Sequence, residues 1–111
     1  MKQLCIGLAL AAGMTTTALA AADPLTAPIH QFIDAFDKGD TKTAAGAYAV
    51  GGVTIIDEVP PHLWQGPKGF ESWAADLMKD AKAHGDTNAG VTLGNVARQE
   101  VTGSRAYVVF P

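Results

Sequence analysis

The chain has 111 residues, 48% of them hydrophobic, with 8 basic against 11 acidic residues and a formal charge of −3. No basic stripe exists to neutralise phosphates, so the composition argues against nucleic acid as a partner. Cys5 is the single cysteine, and the chain beyond it holds no thiol for a disulfide, a Cys nucleophile or a thiolate metal site.

Met1-Lys2-Gln3 places one positive charge before Leu4 to Gly13, an apolar run far shorter than the roughly 20 residues that cross a bilayer. This is the pattern of a signal peptide. Ala18-Leu19-Ala20 and Ala20-Ala21-Ala22 offer two cleavage registers, after Ala20 or after Ala22. Residues 1-22 therefore form a leader, and the product is expected to be periplasmic or secreted, with no membrane association after cleavage. Loss of Lys2 with the leader leaves a formal charge of −4 on one domain over residues 23-111. A domain of roughly 90 residues buries only about 60 to 65% of its unfolded surface, so its stability is modest.

The first helix is expected near Asp23-Pro24 or Thr26. Leu25, Ile29, Phe32, Ile33 and Phe36 recur at three and four on one face, and Gly39 ends it. Asp40 can cap a short second helix over Thr41 to Ala49, which Gly46 weakens by about 1 kcal/mol relative to alanine. Val53-Thr54-Ile55-Ile56 is β-branched throughout and predicts a buried strand, ended by the loop of Pro60-Pro61. Gly66-Pro67 opens the clearest helix. Phe70, Trp73, Ala74, Leu77, Met78 and Ala81 form its apolar stripe, expected to lie on Val53 to Ile56, and Gly85 closes it. Val91, Leu93 and Val96 predict one late strand and Ala106 to Phe110 another, with Thr102-Gly103-Ser104 as the turn of an antiparallel hairpin. Helices grouped early and strands late make the class α+β.

Phe32 to Asp40, Ala47-Tyr48-Ala49, Thr54 to Asp57 and Trp64 to Phe70 occur in an order that resembles the nuclear transport factor 2-like superfamily, with its SnoaL-like and ketosteroid isomerase-like members. The resemblance implies three N-terminal helices packed on a curved antiparallel sheet, cone-like and here incomplete, because the family's last strands would fall beyond Pro111. It also implies an apolar ligand pocket and a homodimer formed through the sheet.

Asp57 ends the strand where ketosteroid isomerases carry their general base, in a segment that Thr54-Ile55-Ile56-Asp57 resembles. His62 follows five residues later and could pair with it as a base. Alternation along a strand turns Glu58 away from Asp57, which argues against paired carboxylates. The family's oxyanion tyrosine aligns with Phe32, which has no donor. Phe32, Phe36, Tyr48, Trp64 and Trp73 are the candidates to line the pocket, with Trp64 on a loop at its entrance. At helical spacing such aromatics are more often core, which is the leading reading for Trp73, Phe32 and Phe36. No His or carboxylate spacing makes a metal site, and no cofactor motif is present. The leading expectation is an exported small-molecule-binding protein. The alternatives are an isomerase, cyclase or dehydratase using Asp57, and a non-functional fragment of a longer domain.

Overall fold

A computed structural model describes residues 23-111. The leader and its cleavage registers lie outside the described residues. The chain is α+β: helices α1 (Ala27–Asp37), α2 (Thr41–Ala45) and α3 (Gly69–His84), with strands β1 (Val53–Ile56), β2 (Leu63–Gly66), β3 (Arg98–Thr102) and β4 (Arg105–Val109). The strands form two separate two-stranded antiparallel sheets, β1-β2 and β3-β4. No described helix is long and apolar enough to cross a membrane.

Asp23 organises the start of α1. Its carbonyl accepts from the Thr26 and Ala27 amides at 3.1 and 2.9 Å, and its carboxylate accepts from Leu25 at 2.9 Å. These bonds occupy amides that a helix start otherwise leaves unpaired. Asp40 caps α2, accepting from the Thr43 amide at 3.0 Å and its hydroxyl at 2.6 Å. Those two bonds hold its carboxyl below the ordinary carboxylate value. The second helix is shorter than the sequence predicts. It stops at Ala45 with Gly46 as its C-cap, in ordinary right-handed conformation at φ −64°, and glycine is a poor helix former. The Gln31 side chain donates to the Thr43 carbonyl at 3.0 Å and fastens α2 to α1.

Helix α3 begins at Gly69, two residues after Pro67 of the Gly66-Pro67 signal. Gly69 is required there by a close approach: a Cβ on it would lie 2.8 Å from Val53 Cγ2. The helix ends at Gly85 in the left-handed conformation, φ 74°, whose amide bonds the Ala81 carbonyl.

The core is Ala35, Ala44, Ile55, Val59, Trp64, Phe70 and Trp73. Phe70 and Trp73 lie buried in one cluster with Ile55, and Leu77 packs against that cluster, as the stripe on α3 predicts. Met78 does not. It is 69% exposed, because the stripe is wider than a four-residue strand can cover.

Two segments differ from expectation. Leu63–Gly66 is a strand where the sequence reading has a loop, with Ile55 opposite Trp64 in the β1-β2 register. Paired residues share a face, so Trp64 is core, at 5% exposure, and not the rim of a pocket. The late hairpin is also shifted. Its turn at Gly103-Ser104 stands as expected, but Thr102 opposite Arg105 fixes β3 to Arg98–Thr102. A two-residue turn sets the register, and that register leaves Val91 to Val96 without a partner strand. Those residues instead tie back through the Val91 amide to Asp37 Oδ1 at 3.0 Å and the Gly94 amide to the Pro111 carbonyl at 3.0 Å.

Candidate functional site

Asp57 lies just past β1, half-buried, and both of its carboxylate oxygens hold N–H donors. Oδ2 accepts from Trp73 Nε1 at 2.7 Å and Oδ1 from the Glu58 amide at 2.6 Å. The carboxylate is thereby anchored to the middle of α3. A base in this position takes its proton on a lone pair that these two N–H bonds leave free.

His62 comes back to Asp57, but to its backbone. The Asp57 amide donates to the His62 carbonyl at 3.3 Å, and His62 Nδ1 lies 3.3 Å from the Asp57 carbonyl oxygen. His62 has a positive φ of 74°, which a non-glycine residue adopts mainly in tight turns. The expected side-chain pair is thus replaced by backbone closure of the β1-β2 turn, with His62 exposed.

The aromatic residues named for a pocket divide into two groups. Phe32, Tyr48 and Trp73 fill one cluster with Phe70, with ring centroids 5.5 Å apart for Phe32 and Tyr48, 5.9 Å for Phe32 and Trp73, and 5.3 Å for Tyr48 and Phe70. Burial pushes the Tyr48 phenol above its ordinary value of 10.0, because the charged phenolate loses hydration. Trp64 is buried beside them, its Nε1 donating to Asp76 Oδ2 at 2.8 Å. Phe36 is the one that reaches open space. It stacks on Phe32 at 5.6 Å and lies 5.5 Å from Trp73 while lining a groove.

That groove has a volume of about 980 Å³. Its walls come from the end of α1 (Phe36, Gly39), the β1-β2 loop (Glu58, Val59, Pro60), the second half of α3 (Ala74, Leu77, Met78, Ala81) and the segment after it (Asp86 to Ala89). Sequence reading missed the residues of α3 here. The available signal was the width of the stripe: Phe70 and Trp73 enter the core, and Ala74, Leu77, Met78 and Ala81 turn progressively toward the groove. His84, at its edge, has its imidazole raised above the ordinary 6.5, first by the hydrogen bond to the Asp80 carbonyl at 2.9 Å and then by the Asp80 charge.

Among the described residues, no group of three or more His, Cys, Asp or Glu is placed to hold a metal ion. Comparison with protein-family models, curated proteins and solved structures gives no match. The resemblance to the nuclear transport factor 2-like superfamily therefore rests on the motifs of the chain itself.

Proposed function

We propose that the chain is an exported small-molecule-binding protein of the nuclear transport factor 2-like type, with the groove along α3 as its apolar site. Met78 carries this reading. It is 69% exposed on the wall of a concavity of about 980 Å³, within the range of small-ligand sites. Large apolar side chains in a concave, water-filled surface favour cover by an apolar molecule. This reading expects a curved, cone-like antiparallel sheet carrying the three helices, to which the separate pairs β1-β2 and β3-β4 contribute, and two copies that associate through it. Val101 on one face of the β3-β4 hairpin and Tyr107 on the other are both exposed, and uncovered strands of this kind support that association. Export is supported by Lys2, the short apolar run and Ala18-Leu19-Ala20.

Methionine-methyl NMR tests the site with phenylbutanol as an uncharged apolar probe. A saturable shift of the Met78 methyl, lost when Ala81→Trp fills the groove, is expected. No shift up to the solubility limit of the probe overturns the reading. For export, N-terminal sequencing of the product is expected to begin at Ala21 or Asp23, and a soluble cytoplasmic product beginning at Met1 overturns it.

A further inference from the structure

The charged groups that line the groove are nearly all of one sign. Glu58, Asp80 and Asp86 stand on its wall, and neither lysine nor arginine joins them. His84 is already held by Asp80, with Nδ1 3.3 Å from Oδ2. Glu58 and Asp86 take part in no ion pair among the described residues. They come from different elements, the loop after β1 and the segment after α3, and so approach the apolar floor of Phe36, Leu77 and Met78 from separate parts of the chain. Lys79 lines a smaller adjoining depression of about 210 Å³ with Asp76 and Asp80.

An apolar floor with carboxylates above it complements a molecule that has an apolar body and a cationic end. Resting on the reading of this groove as a small-molecule site, we propose that its ligand is a small amphiphilic amine, whose ammonium group meets Glu58 and Asp86 while the apolar body covers Met78. The volume matches a small molecule. The carboxylates keep the ammonium near the rim, where it retains part of its hydration, so charge adds selectivity more than strength. A carboxylate-bearing ligand of the same body is repelled.

Three probes with a common body test this: phenylbutylamine, phenylbutanol and phenylbutyrate, titrated at neutral pH and low ionic strength with the Met78 methyl as reporter. The amine is expected to bind about tenfold more tightly than the alcohol, with the butyrate weakest. Added salt narrows the gap. Glu58→Gln combined with Asp86→Asn should bring the amine to the affinity that the alcohol shows for the same variant. Equal binding of amine and alcohol to the unaltered protein overturns the amine assignment alone and leaves the groove as an apolar site. Failure of all three probes overturns both. Sedimentation showing a dimer whose formation shifts Met78 and excludes the probes also overturns it, in favour of a second copy as the occupant.

Discussion

The indole N–H of Trp73 donates to Oδ2 of Asp57 across 2.7 Å, so the carboxylate that ends β1 and the central ring of α3 are held as one unit. Trp73 is 6% exposed. Trp73→Ala should therefore cost about 3 to 5 kcal/mol in a urea melt. Trp73→Phe keeps much of the ring packing and loses the bond to a charged acceptor, so its expected cost is smaller, about 1 to 3 kcal/mol. Equal losses in the two variants would assign the whole effect to the hydrogen bond and none to the ring.

Asp57→Asn preserves size and removes the charge. Asparagine has one oxygen, so where the Trp73 indole keeps it the Glu58 amide faces the Nδ2 donor and loses its acceptor. Stability should fall by about 1 kcal/mol, and probe binding at Met78 should persist. Should a substrate be found, turnover that drops by orders of magnitude in this variant with the fold retained would instead assign Asp57 as a general base.

Tyr48 should make the protein sensitive to alkali. Its folded value lies above 10.0 because burial disfavours the phenolate, so the stabilisation is complete below the unfolded value and is lost as pH rises through the folded one. Phenolate absorbance measured against pH should show a late-titrating component. The chain has two tyrosines, and Tyr48→Phe should remove that component.

His84 predicts a second pH effect of the same sign at lower pH. Asp80 raises the imidazole above 6.5, so the contribution is complete below 6.5 and disappears as pH rises through the raised value. Imidazole shifts followed by NMR should place His84 above the ordinary range. Asp80→Asn should bring it partly back, since the backbone carbonyl bond remains.

Near neighbours along the chain specify the local elements. The recurrence of Phe32, Ile33 and Phe36 marks α1, that of Phe70, Trp73 and Leu77 marks α3, Val53 to Ile56 marks β1, and Gly103-Ser104 marks the late turn. Local periodicity and turn chemistry act over a few residues, and each of these elements is legible at that range. Tertiary structure decided the rest. Leu63–Gly66 is too short to declare itself and becomes a strand by pairing Trp64 with Ile55. The placement of Asp57 at a strand end was legible, but its acceptor role toward Trp73, 16 residues away, was not. The groove depends on how α3 crosses the end of α1 and the β1-β2 loop. No spacing along the chain encodes that crossing, because it is fixed by how Phe70 and Trp73 pack against Phe32 and Phe36 in the common core and leave Met78 outside it.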